Sequence, residues 1–177
     1  MEVLKTQSLV LRPFKLTDLP AYYNFSKNAL VGPPAGWEPH KNIHESKVIL
    51  SRLIFENDVW AITIDDVLIG TINLTYVKQE GQYETGFSLS PSFWGLGIAS
   101  EALNAVLKYA FTQLKIKEIN AKHYYDNYRS KGVLVKAGFK KHKISLEKDI
   151  YENEQLVVEY KLKAKNYFKG VNKKWAN

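Results

Sequence analysis

The 177-residue chain has no cysteine and a single methionine. The missing thiols exclude disulfides, thiolate nucleophiles and Cys-ligated metal sites, which suits a reducing compartment, and the expected location is the cytoplasm. No segment approaches the roughly 18 uninterrupted apolar residues that argue for a membrane span. The opening MEVLKTQSLVLRPF carries Glu2 beside its start and lacks an apolar run followed by small residues, so it does not read as a secretory leader. Repeats, low-complexity blocks and linkers are absent as well. The length fits one domain spanning 1–177, able to bury roughly 70% of the surface its unfolded chain exposes.

Acidic residues are in the minority, 18 against 25 Lys plus Arg, for a net charge of +7. Such a surplus attracts polyanions, whether nucleic acid, anionic membrane or a polyanionic small molecule, and its sign alone does not choose. Part of it lies in the last fifteen residues, KAKNYFKGVNKKWAN, where five lysines face no acid. The expectation there is a solvated basic tail, 163–177, partly docked by Tyr167, Phe168 and Trp175. No cluster of RNA-stacking aromatics forms a known motif, so nucleic acid is not an expected partner, and neither is a membrane. On a homo-oligomer the sequence is silent.

The apolar pattern changes period along the chain. Ser8–Phe14 alternates and ends at a proline, as a first edge strand does. A helix follows, with Thr17 as candidate cap and Pro20 in its first turn, and a second is expected over Ile43–Phe55 with Val48, Leu50, Leu53 and Ile54 on its apolar face. After Asn57 the period falls to two: VWAITI, Asp65-Asp66, VLIGTINLTYV and GQYETGFSLS read as an antiparallel meander. Ile98–Leu114 is a buried helix with Ala102, Val106, Ala110 and Leu114 along one face. IKEINAKHYY is a further strand, NYRSKGVLVKA a short helix closed by Gly138, and FKKHKISL and QLVVEYKLK a final strand pair. The strand–helix–strand order makes the strands around Gly86 and Ile119 parallel neighbours; every other pairing is expected antiparallel. The fold class is α/β mixed.

The stretch FSLSPSFWGLGIASEAL places Gly95 and Gly97 where a helix begins. A helix N-terminus presents unpaired N–H groups and partial positive charge, a seat for phosphate that glycines make accessible. A Walker loop would need Lys then Ser or Thr after the second glycine, and GLGIASEA has neither. A dinucleotide fingerprint would need a third glycine and an immediately preceding strand; Ser90-Pro91-Ser92-Phe93-Trp94 intervenes.

Three features in order resemble the GNAT acetyltransferases, in the branch that includes the ribosomal-protein-alanine N-acetyltransferases. They are the opening LVLRPFKLTD, the run Trp94-Gly95-Leu96-Gly97-Ile98-Ala99-Ser100-Glu101-Ala102, and Asn127 and Ser130 followed by Lys136-Ala137-Gly138-Phe139. The resemblance covers about Leu9 to Leu162. It implies a mostly antiparallel sheet with one parallel pair splayed at a cofactor cleft, flanked by about four helices. It also implies acetyl-CoA as cofactor and an amine acceptor, a peptide N-terminus or a small molecule. The superfamily usually starts its pyrophosphate loop with Gln or Arg; here Trp94 stands there, leaving the loop to backbone donors.

By that resemblance the N–H groups from Gly95 through Leu96, Gly97, Ile98, Ala99 and Ser100 would hold pyrophosphate. Phe87, Ser88, Leu89 and Ser90 would border the pantetheine arm, and Asn127 would hydrogen-bond it. Glu84, two residues before Gly86, is the candidate base, against the alternative of an ordinary strand glutamate. Ser130 is the candidate acid at the departing thiolate, with Tyr128 in competition because a phenol near pKa 10 matches a thiol better. A capping role for Asn127 or Ser130 stays open. Trp37 and His40, in the loop VGPPAGWEPH, are candidates for the acceptor pocket, or for mere packing of that loop. His40 and His44 share i,i+4 spacing without an evident third ligand, so no metal is expected. The branch often has an Asp where Leu156 stands, which leaves the acceptor open. Competing readings are a CoA-binding sensor without catalysis and a basic nucleic-acid binder.

Overall fold

Segments 67–77 and 82–89 both alternate apolar and polar residues, and together they form one long hairpin that breaks in its middle. The computed structural model describes residues 1–174 and divides each arm in two: β4 (Val67–Asn73) with β5 (Thr75–Val77), and β6 (Gln82–Glu84) with β7 (Phe87–Leu89). β4 and β7 belong to one sheet, β5 and β6 to another. The break falls at Leu74 on one arm and Thr85-Gly86 on the other. The meander expected from the sequence is present, but it changes sheets halfway, which alternation alone does not reveal.

The first sheet runs β1-β2-β3-β4-β7, adding β1 (Leu4–Lys5), β2 (Val10–Arg12) and β3 (Val59–Ile64), all antiparallel. β3 and β4 are joined at Asp65-Asp66, whose φ angles of 50° and 62° are the left-handed pair a two-residue hairpin turn requires. The second sheet runs β5-β6-β8-β10-β9, with β8 (Glu118–Tyr124), β9 (Lys140–Lys148) and β10 (Glu154–Lys163). Its β6–β8 pair is the parallel one, with Tyr83 opposite Ile119 and Glu84 opposite Asn120.

Helix α3 (Ile98–Thr112) connects the halves of this crossover. Its Ala102, Leu103, Val106, Leu107 and Ala110 are completely buried in a core with Ile62 and Ile72 of the first sheet and Ile119 and Leu162 of the second. Each large aliphatic side chain buried there contributes about 1.5–3 kcal/mol, so α3 fastens the two sheets together. It ends sooner than expected, and Leu114 is 46% exposed. A second cluster sits where α1 (Leu19–Ser26) and α2 (Ile43–Glu56) cover the first sheet, around Phe14, Tyr22, Phe25, Leu50 and Leu68. Within α2, Asn42 rather than a hydroxyl residue caps the start by accepting from the Glu45 N–H, and Val48 faces solvent, contrary to its expected core role. Thr17 does not cap α1: it lies in a 3-10 turn, Leu16–Asp18, and Pro20 occupies the first helical turn as expected.

α4 (Tyr128–Lys136) is closed by Gly138 at φ 93°. The basic tail begins with a fifth helix, α5 (Ala164–Lys174), one more than expected. Tyr167 docks it against Phe111 with ring centroids 5.1 Å apart; Trp175 lies outside the described residues.

Arg12 ties the N-terminal third together. Its guanidinium grips Asp18 with two bonds of 2.8 and 2.7 Å, and its Nε–H donates to Asp66 at the β3–β4 turn, 2.6 Å away. Both Arg12 and Asp18 are buried, so removing one strands the other's charge. Arg12→Ala is expected to lower the unfolding free energy by about 3–5 kcal/mol, read as a shifted urea midpoint at pH 7.

Candidate active site

After β7, Pro91–Phe93 makes a 3-10 turn and Trp94 is extended. Gly95 and Gly97 then adopt φ 77° and 81°, left-handed conformations that cost a side chain dearly and glycine little. A Cβ at either would meet nothing within 4 Å, so the space beside the loop is open. Gly97 caps α3 without any side-chain bond, leaving the first-turn N–H groups facing outward. The acid of that turn, Glu101, is turned aside: its oxygens accept from the Ser8 N–H and hydroxyl at 2.9 and 2.7 Å. A 15-residue helix therefore presents its positive end to an exposed glycine turn.

The strand edge leading there is also free. Ser90 donates to Ile69 O and Asn73 to Gly86 O, so the alternate residues 86, 88 and 90 bond to β4. Phe87 and Leu89 consequently direct their backbone groups away from β4, toward the gap where β7 has parted from β8. The Leu89 carbonyl accepts from the Trp94 indole N–H at 2.8 Å. Of the four expected border residues, Ser88 and Ser90 spend their backbone groups on β4. An extended amide-bearing chain would find its partners at Phe87 and at the Leu89 N–H, the Leu89 carbonyl being engaged by Trp94. Close approach of β4 and β7 requires Gly70, where a Cβ would sit 2.3 Å from Ser88 O.

Beside that gap lies a cavity of about 320 Å³ lined by residues of both sheets, α4 and the loop after α1. Glu84 lines it at the end of β6. Burial pushes its carboxyl above the usual range, Lys122 opposes this, and Glu80, Glu159 and Glu147 add to it. Among the described residues Glu84 has no ion-pair partner, whereas Lys122 is 3.9 Å from Glu80 and Lys143 3.3 Å from Glu159. Ser130 also lines the cavity. Its backbone N–H donates to Asn127 Oδ1 at 3.1 Å, so Asn127 is the N-cap of α4 and its oxygen is already engaged.

Trp37 lines the cavity too, its indole N–H buried without a partner. His40 does not. It is 6% exposed, packs edge-on against Tyr22 and shares a 2.7 Å hydrogen bond with the Ser46 hydroxyl, so burial lowers its pKa and it belongs to the packing of α1 on α2. Tyr128 begins α4 but is 68% exposed and off the cavity. No group of three or more metal-ligating side chains occurs among the described residues.

Four neighbours escaped the sequence reading. Glu147, His123 and Tyr124 line the cavity from β9 and β8. His123 Nδ1 lies 2.7 Å from the Tyr124 carbonyl, which can only accept, so that nitrogen carries the proton. Its Nε2 is buried with no partner. Burial, Asp149 and Glu147 raise the Tyr124 phenol. The fourth is Arg129, whose guanidinium carbon lies 4.5 Å from the centre of the Trp94 ring. Strand alternation could have put Glu84 and Glu147 on solvent-averse faces; nothing local announced the Trp94–Arg129 pair.

The left-handed glycines, the uncovered helix end and the free edge at Phe87 and Leu89 fit a phosphate-bearing, amide-bearing ligand. Residues 8–140 match the family model described as "Acetyltransferase (GNAT) domain". The uncharacterized N-acetyltransferase p20 of Bacillus licheniformis is 29% identical over 149 residues, 80% of this chain and 84% of that one. Among solved structures, a Vibrio cholerae spermidine N-acetyltransferase in complex with CoA and spermine superposes with a TM-score of 0.77 at 22% identity, covering 92% of this chain and 99% of that one. RimL, a ribosomal alpha-N-protein acetyltransferase in complex with coenzyme A, gives 0.79 at 19% identity, covering 92% and 98%. The chain belongs to the GNAT family and is an acetyl-CoA-dependent N-acetyltransferase.

Proposed function

We propose that the protein acetylates a primary amine, a protein or peptide N-terminal α-amine or a small-molecule amine, by direct attack in a ternary complex. The observation that carries this reading is Glu84: a desolvated carboxylate without a counter-ion, lining a cavity beside a strand edge that has lost its neighbour. The two neighbours named above act on quite different amines, a polyamine and a protein α-amine, at nearly the same TM-score, so the fold does not select the acceptor. The lining supports a cation: Glu84 and Glu147 outnumber Lys122 around the cavity, in a chain of net charge +7.

An amine must be neutral to attack. For a lysine-like amine at pH 7 the proton costs about 3.4 pKa units, near 4.6 kcal/mol; for an α-amine it costs about one unit. Glu84 is the group to take that proton, directly or through water, and its raised pKa makes it a better acceptor than an ordinary glutamate. Acetyl-CoA, when bound, supplies the acetyl thioester. The free edge of β7 orients the pantetheine arm, the glycine turn holds the phosphates, and Ser130 offers its hydroxyl proton on the α4 side. Tyr128 is too far toward solvent to compete.

Two outcomes test this reading. CoA at about 100 times its dissociation constant should stabilise the fold by roughly 2.7 kcal/mol; absence of any thermal shift at millimolar CoA would refute the cofactor site. Glu84→Gln should lower kcat by about 10²–10⁴ and abolish the acid limb of the pH–rate profile, which in wild type lies above the ordinary glutamate range because the carboxylate must be deprotonated to act. Stability should move the other way. A raised folded-state pKa means that stability is lost as pH climbs from the ordinary value through the raised one, so the glutamine variant should melt higher at pH 7. Unchanged turnover across pH 6 to 9 would remove Glu84 from the mechanism.

A further inference from the structure

We infer that Arg129 is a ligand of the CoA pyrophosphate, delivered to the glycine turn from α4 by its stacking on Trp94. The inference rests on that turn being the pyrophosphate seat. Between Glu84 and Lys108 the chain has no Lys or Arg, so the turn and the first helical turn after it hold no cation of their own, and Trp94 stands at the loop's first position. The fold supplies one from elsewhere: the Arg129 guanidinium carbon is 4.5 Å from the Trp94 ring centre.

Trp94 is suited to act as a platform. Its indole N–H is committed to the Leu89 carbonyl at 2.8 Å, and the Pro91–Phe93 turn fixes the backbone before it, so the ring cannot swing. Stacking orients the guanidinium plane but occupies none of its five N–H donors. Among the described residues Arg129 engages no carboxylate, unlike Arg12, and its side chain is exposed. A planar guanidinium held over Trp94, the residue that precedes the glycine turn, can offer the bidentate geometry of a phosphate oxyanion. Backbone N–H groups would grip the pyrophosphate from the helix end while Arg129 closes on it from α4. Trp94 thereby fills the loop's first position not as a hydrogen-bond donor to phosphate but as the holder of one.

Isothermal titration with CoA and with 3′-dephospho-CoA tests this on wild type, Arg129→Ala, Arg129→Gln, Trp94→Phe, Trp94→Leu and the Trp94→Leu/Arg129→Ala double variant. Arg129 is exposed, so its variants should fold, checked by an unchanged unliganded melting temperature. Both Arg129 variants should weaken CoA about tenfold or more, as loss of a charge-assisted hydrogen bond does, and the loss should persist with 3′-dephospho-CoA. Trp94→Phe, which keeps a ring but loses the indole N–H bond that fixes it, should bind between wild type and Trp94→Leu. Trp94→Leu should weaken binding, and the double variant should be no weaker than the worse single one, because tryptophan acts through arginine. Wild-type affinity in Arg129→Ala overturns the assignment. A loss that vanishes with 3′-dephospho-CoA overturns it too, by moving the contact to the 3′-phosphate. If wild type itself fails to bind CoA, the cofactor reading falls instead.

Discussion

The architecture depends on Asn73, which holds two strands together at the place where their sheets separate. Its backbone N–H donates to Gly86 O at 3.0 Å and its side-chain Oδ1 accepts from the Gly86 N–H at 2.8 Å. Its carbonyl takes the Thr85 hydroxyl at 2.8 Å, while Nδ2 reaches Thr75, which in turn bonds Asp58. A side chain has replaced part of a backbone ladder, so the ladder can end without leaving buried polar groups unpaired. Past this knot β7 stays with the first sheet and β6 with the second. A Cβ at 86 would stand 3.0 Å from Asn73 Oδ1, tighter than ordinary contact, so a larger residue would press on the side chain that accepts from the Gly86 N–H. The free edge at Phe87 and Leu89, the cavity and the position of Glu84 all follow from that parting.

What was legible in the sequence was whatever is local and periodic. The α3 face, the Asp65-Asp66 turn, the crossover that makes β6 and β8 parallel and the glycine-opened helix end each write their physics into a dozen adjacent residues. The change of sheet does not, because TINLTYV and YETGFSLS keep alternating through the break; the only mark is Gly86, which signals close approach without saying to what. Helical periodicity misled for a related reason. Val48 and Leu114 satisfy the apolar period, but a side chain is buried only where a neighbour covers it, and no neighbour reaches them.

The site was half legible. Glu84, Gly95, Gly97 and Ser130 sit in segments whose order along the chain is itself the signal. For His40 the sequence left the acceptor pocket and packing side by side, because a histidine in a Gly/Pro-rich loop looks available; in the fold Ser46 and Tyr22 from two helices close over it. Glu147, His123 and Arg129 went unnoticed because their relevance comes from partners 35 to 63 positions away in the chain, counting Arg129 from Trp94 and Glu147 from Glu84.

The net charge of +7 does not describe the cleft. Lys161 and Lys163 of β10 are matched to Glu118 and Lys143 of β9 to Glu159, so the global surplus says little about the cleft. Within it the charges are sorted. At the glycine turn stand helix N–H groups, with Glu101 bent away toward Ser8. At the cavity Glu84 and Glu147 outnumber Lys122, whose ammonium lies 3.9 Å from Glu80. Each end would repel what the other end attracts, so an amine entering at the phosphate end or a phosphate entering at the carboxylate end meets like charge. The free strand edge between them is neutral backbone, which can hold an uncharged amide chain in one direction only. The parting at Asn73 therefore does more than open a gap: in the proposed reading it separates the cofactor end from the carboxylate end by the length of one strand, and acyl transfer would occur between them.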